Sequence, residues 1–228
     1  MVTPTPLPYG PLLTRWLRPL QRGLNLANRA SVAPLLRARL GWLLGTPFTG
    51  YLMLLRTRGR RTGLVREAPL GYIIRDGAVW CVAGYGEATP WYRNLLDDPT
   101  VEVILPTRRF RAIARPVQDA AAWSIAFREL IRSFALVGLA VVGDVSGLSD
   151  AELHERYASL PVVRIVPAPG EPPLRAGPFD PGGRGWLLPF GLAIMLPAAW
   201  LAGRHTVRRR TWRSRRAAGS WSEAPANR

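Results

Sequence analysis

The chain contains no lysine. All 31 basic residues among its 228 are arginine, against 15 acids. Without lysine there is no Schiff-base chemistry. Nor is there a Walker A loop, although GRRTG at 59–63 superficially looks like one. A single cysteine, Cys81, excludes a disulfide framework and a cysteine-based zinc site. It falls inside the strand-like run VWCVAG and reads as a small buried hydrophobe. There are two histidines, His154 and His205, and they are not spaced as a metal-binding pair. His154 lies among acids in SDAELHERY, a pattern that puts it on a solvated helix face. No metal site is expected, and no catalytic nucleophile or base can be named. An enzyme with so sparse a set of reactive side chains leaves its chemistry to a cofactor.

What is abundant is apolar residues, at 48 %, enough for a real core. The formal charge of +16 is unevenly placed. Residues 184–228 hold nine arginines and one acid, while residues 1–183 hold 22 arginines and 14 acids. Half the charge therefore sits in the last fifth of the chain. Within the rest, arginines alternate with acids and no aromatic ladder accompanies them, which argues against nucleic-acid binding.

Five regions follow from the pattern. Residues 1–34 open Pro-rich, without the layout of a signal peptide, and continue as a basic amphipathic helical region broken at Pro19 and Pro34. Such a region can lie on a membrane or pack on its own domain. Residues 35–168 read as one domain. Residues 169–185 are a Pro/Gly linker. Residues 186–203, WLLPFGLAIMLPAAWLAG, carry no charge over 18 positions, with Trp186 and Trp200 near the ends, and read as a transmembrane or membrane-inserted segment. Residues 204–228 form an Arg-rich tail. By charge that tail belongs on the cytoplasmic side, and so does a domain with no export signal, which leaves the topology of one span open. The expected location is membrane-associated with the domain in the cytoplasm.

Within 35–168 six strands are expected: 51–58, 68–76, 78–84, 100–106, 109–117 and 161–168. Asp76-Gly77 marks a hairpin turn. Thr89 and Pro90 open a short helix that Pro99 ends. Residues 119–138 are helical, and Ser149 with Glu152 forms a capping box for another helix. About six strands without βαβ alternation predict an α+β domain, a small antiparallel barrel with flanking helices. Two loops could converge on a ligand: RTRGRRTGLVR (56–66) and AGYGEATPWYRN (83–94). Gly84 and Gly86 allow close backbone approach, the helix start at Pro90 favours an anion, and Trp91 and Tyr92 offer flat faces. A phosphate on arginines and a ring on aromatics would suit a flavin or nucleotide-like cofactor, although a structural turn and helix start would read the same way.

These stretches also resemble a known family. LRTRGRRTGLVREAPLGYIIRDGAVWCVAGYGEATPWYRNLLDDPTVEV is similar to the deazaflavin (F420)-dependent nitroreductases. The match lies in the T-x-G-R-x-[ST]-G loop, the proline of APLGY, the D-G hairpin and the W-Y-x-N-L-x-x-[DN]-P-x-V-x-V run. It extends over residues 35–168. The resemblance implies a split β-barrel related to FMN-binding reductases, and coenzyme F420 as cofactor, with FMN as the alternative. It implies that Arg60, Arg61, Thr62 and Arg66 hold the phosphate and acidic tail. It further implies that Ala68, Pro69, Leu70, Gly71, Val82, Ala83, Gly84 and Tyr85 line the ring, with Pro90, Trp91, Tyr92 and Asn94 as the opposite wall. Where characterised relatives carry a Ser-Lys pair after the third strand, this chain has Gly84-Tyr85. The implied activity is F420H2-dependent hydride transfer to a quinone or nitro-type acceptor, in a monomer or homodimer. The alternative is a membrane-tethered split barrel that binds flavin or haem without turnover.

Overall fold

The computed structural model describes residues 32–43, 45–47, 50–134, 138, 142–191, 193, 195 and 197. Seven strands form one antiparallel sheet: β1 (Leu52–Arg58), β2 (Val65–Gly71), β3 (Ile73–Arg75), β4 (Ala78–Val82), β5 (Thr100–Ile104), β6 (Arg109–Pro116) and β7 (Val162–Pro167). Their order is β2-β1-β5-β6-β7-β4-β3. Strands β2 and β3 sit at opposite edges, yet only Tyr72 separates them in the chain. The two edges must therefore meet, and the sheet curls into a half-barrel. This is an α+β fold of the split-barrel kind.

The expected strand count was about six, and the seventh arises inside 68–76. What reads as one strand is broken at Tyr72, which leaves one sheet edge and enters the other. Two long-range contacts set the break. The buried Tyr72 hydroxyl donates to Asp180 at 2.6 Å. At Gly71 a Cβ would lie 2.1 Å from the Phe134 ring, so only glycine lets that ring close on the strand.

Period-two alternation sorts the strands. Met53 and Leu55 of β1, Val101 and Val103 of β5, and Phe110, Ala112 and Ala114 of β6 point inward to one cluster with Val163, Ile165 and Cys81. Burial also pushes the Cys81 thiol pKa up, so it is an inert core residue. Outside, Ala78, Trp80 and Val162 are covered by helix α3 (Ala120–Ser133) through Phe127 and Leu130, and by α4 (Asp150–Tyr157) through Leu153. His154 stays exposed on α4, its ring edge-on to Trp123. The short α1 (Ala33–Arg37) covers Leu54 and Ile104 with Leu36. Each fully buried large side chain is worth about 1.5–3 kcal/mol, so these faces dominate over surface ion pairs at about 0.2–1 kcal/mol.

Local signals hold where local chemistry decides. Asp76 and Gly77 both have positive φ (49° and 69°) in the two-residue turn between Arg75 and Ala78. The Ser149–Glu152 capping box is present in both directions. Thr89 does precede helix α2 (Pro90–Asp97), but its hydroxyl donates to the Gly86 carbonyl at 2.7 Å instead of capping the helix.

Residues 169–185 form no helix or strand, but they are held to the barrel. Leu174 enters the interior cluster. Asp180, 2 % exposed, accepts from Tyr72, from Arg108 at 2.7 Å and from the Gly177 backbone at 2.6 Å. A second compact unit comprises Leu187–Arg228. Residues 187–191 in it are helical, with Leu187, Leu188 and Phe190 exposed. The membrane segment expected at 186–203 is not supported: among the described residues no helix is long and apolar enough to cross a membrane. Most of 192–203, the helices expected before residue 32 and the Arg-rich tail lie outside the described residues.

Candidate functional site

The β1–β2 hairpin carries RTRGRRTG. Its arginines separate into two groups. Arg56 points to the barrel exterior, where register sets it opposite Glu67 on one side and Glu102 on the other. It pairs with both, at 2.8 and 2.9 Å. Arg37 joins through Glu67, and Arg109 through Glu102 at 2.7 Å. Arg56 therefore belongs to a structural ladder and is neither loosely solvated nor aimed at a ligand.

The turn itself, 59–64, has a different character. Gly59 N–H donates to Leu64 O at 2.9 Å, and Gly63 N–H donates to Gly59 O at 2.7 Å. Gly63 takes φ 67°, which lets the chain reverse without a Cβ penalty. Thr62 turns its hydroxyl back to accept from Leu64 N–H at 3.4 Å. Arg60, Arg61 and Arg66 are exposed. None of the three makes an ion pair with a carboxylate among the described residues.

Asn94 of α2 locks this turn in place. Its Oδ1 accepts from the Arg60 backbone N–H at 3.3 Å and from the Arg60 guanidinium at 3.4 Å. Its Nδ2 donates to the Thr57 hydroxyl at 3.1 Å. Asn94 is 6 % exposed and Thr57 2 %. The arginine turn and the Pro90–Asn94 segment thus touch each other directly at Asn94. Thr57 is the residue that sequence reasoning missed. The signal was there: it occupies the inward phase of β1 after Met53 and Leu55, and a buried hydroxyl needs a partner.

Trp91 and Tyr92 are also buried, at 7 % and 6 %. They stand edge to face, 6.2 Å apart, and belong to the interior cluster. Pro90 at the helix start is exposed. On the barrel wall, Ala68, Pro69, Leu70 and Gly71 are half-buried along β2, whose outer edge pairs with no strand. Pro69 lacks an N–H, which suits an unpaired edge. Facing β2 is the upper part of β4, which β3 covers only as far as Trp80. Val82, Gly84 and Tyr85 are half-buried there and Ala83 is buried. Ala68, Leu70 and Ala83 reach the same interior cluster. Gly71 has its own reason for being glycine, the Phe134 ring. Burial raises the Tyr85 pKa, so its phenol stays protonated and offers an O–H.

The result is a split barrel in which the β2 edge and the end of β4 beyond Trp80 are not paired to each other, and whose β1–β2 turn carries arginines without a carboxylate partner among the described residues. Among the described residues no group of three His, Cys, Asp or Glu is placed to hold a metal.

Residues 31–134 match the family model described as F420H(2)-dependent quinone reductase. The resemblance read from the motifs is borne out in that match, whose description names F420H2. The F420H(2)-dependent quinone reductase Rv1261c of Mycobacterium tuberculosis H37Rv is 36 % identical over 70 residues, 29 % of this chain and 46 % of its own length. The F420H(2)-dependent quinone reductase MT1299 of Mycobacterium tuberculosis CDC 1551 matches to the same extent. The chain thus spans about half the length of the curated relatives it matches. A solved structure described as an F420-H2 dependent reductase (FDR-A) aligns at 23 % identity over 50 % of this chain and 92 % of its own, with a TM-score of 0.36.

Proposed function

We propose that the chain is an F420H2-dependent oxidoreductase that reduces a quinone or nitro-type acceptor. The observation that carries the reading is the braced, unneutralised turn. Arginines this close repel one another, and an anion that sits among them relieves that repulsion. The donors fit F420: Arg60, Arg61 and Arg66 would take the phosphate and acidic tail through charge-assisted hydrogen bonds. The half-buried walls Ala68–Gly71 and Val82–Tyr85 would take the ring.

Bound F420H2 supplies a hydride, which is chemistry that no side chain here can provide. What the chain supplies is position. Asn94 ties the Arg60 backbone to α2, so the turn needs less ordering on binding. The apolar wall excludes water from one side of the ring. Tyr85 holds a proton on its hydroxyl at neutral pH and can donate a hydrogen bond to a ring or acceptor oxygen.

The test is turnover. Full-length protein with F420H2 and menadione should oxidise the cofactor, followed by return of F420 absorbance. Arg60→Ala and Arg61→Ala should each weaken F420 binding by about 1–3 kcal/mol, the range for hydrogen bonds to charged groups. Absence of F420 binding at roughly tens of micromolar would refute the assignment.

A further inference from the structure

A second basic feature lies elsewhere on the barrel. Outward from the sheet, β4, β7 and β6 place Trp80, Arg164 and Arg115 in one row: Trp80 is the register partner of Arg164, and Arg164 of Arg115. Two arginines directly opposite across an antiparallel pair bring their Cβ atoms within about 4.5–5.5 Å, an arrangement that destabilises a sheet. Arg56, another outward strand arginine, faces glutamates on both sides. Arg115 and Arg164 have no carboxylate partner among the described residues.

Two acids are near, and both are engaged. Asp76 accepts from Arg75 at 3.0 Å, and Asp119 accepts from the Ala122 backbone at 2.6 Å as the cap of α3. Trp80 fixes one of the cations: the Arg164 guanidinium lies 5.8 Å from the centre of its ring. The indole N–H is tied to the Arg75 carbonyl at 3.1 Å, so the platform does not turn. The row floors a pocket of about 390 Å³, walled by Pro116 and the start of α3. The pocket opens widely to solvent, and its volume exceeds what a bare inorganic ion fills.

We propose that Arg115, Arg164 and Trp80 form a binding site for a small organic oxyanion, a carboxylate or phosphate joined to an apolar body. The two guanidinia take the oxyanion between them and the apolar body rests on Pro116. This site is independent of the β1–β2 turn and of the cofactor reading.

Calorimetric titration of the full chain at low salt, with phenyl phosphate, benzoate and inorganic phosphate, tests it. The proteins are wild type, Arg115→Gln/Arg164→Gln, and Arg60→Gln/Arg61→Gln as a control for the other basic turn. The expected result is saturable binding of an aromatic probe, weakened tenfold or more in the first variant and retained in the second. Tighter binding of phenyl phosphate assigns a phosphate, and tighter benzoate a carboxylate; both support the site. Equal affinity in wild type and Arg115→Gln/Arg164→Gln, or no saturable binding of any probe, overturns it. The single variant Arg164→Gln serves if the double variant does not fold. It should melt at or above wild type without anion, and gain less than wild type when probe is added.

Discussion

Asn94 is the most exposing place to perturb the chain, because one amide joins the barrel core to the arginine turn. Its Nδ2 bonds the 2 %-exposed Thr57 hydroxyl at 3.1 Å, and its Oδ1 accepts from Arg60 at 3.3 and 3.4 Å. The first bond is buried and of ordinary length. Its net worth is about 1 kcal/mol; Asn94→Leu leaves the Thr57 hydroxyl buried without a partner, a loss of about 1–3 kcal/mol that already includes it. The two bonds to Arg60 are long and partly solvated, and add at most a few tenths of a kcal/mol each. Asn94→Leu should therefore cost about 1.5–3 kcal/mol, read as a lower urea midpoint at unchanged slope. Thr57→Val in the same chain removes the orphaned hydroxyl. The double variant should recover at least about 1 kcal/mol relative to the sum of the singles. F420 affinity should not recover with it, since the turn remains unbraced. Additive single effects, or a loss below about 0.3 kcal/mol for Asn94→Leu, would refute the brace.

Other outcomes follow from the same contacts. Asp180→Ala should destabilise by about 2–4 kcal/mol in urea unfolding, because it strands Arg108 and Tyr72 together; the figure is set below the fully buried range since the Arg108 side chain is 31 % exposed. Gly71→Ala should lose about 1–3 kcal/mol, as the new methyl meets the Phe134 ring, and Phe134→Ala in addition should relieve part of that strain. Glu67 is held below the usual carboxylate range, first by the hydrogen bond from Arg37 and then by that from Arg56. A depressed folded pKa means stability present above the unfolded value, near pH 4.3, and lost as pH falls through the folded one. Glu67→Gln should accordingly flatten the acid limb of melting temperature against pH below about 4.5, and an unchanged limb would remove Glu67 from the account.

Much of the barrel was legible because its signals are local. The Asp76-Gly77 turn needs only two residues that tolerate positive φ, and the capping box closes within four residues. Inward and outward faces of β1 and β6 follow from alternation alone. The break at Tyr72 was not legible, since the chain that forces it arrives 108 residues later at Asp180. The same distance hid the docking of 169–185: composition correctly announces irregular backbone but not what its one buried carboxylate will meet. At the site, residue types pointed to the arginine turn and to PWYRN, while their relation was not visible. Helix phase shows that Asn94 is buried, not that β1 lies across from it. Arg56 illustrates the converse. Four arginines in eight residues look alike by composition, and only the register with Glu67 and Glu102 shows that Arg56 belongs to an outward ladder.

The central claim is that the arginine turn is an anion site built for F420. Fluorescence-quenching titration of F420 into the full chain, beside Arg60→Ala/Arg61→Ala at identical salt, addresses it without needing an acceptor. The account predicts saturable binding at tens of micromolar or tighter, weakened by about 30-fold or more in the variant, from the 1–3 kcal/mol per arginine above. Binding of equal strength in both proteins, or none in the wild type, would contradict it.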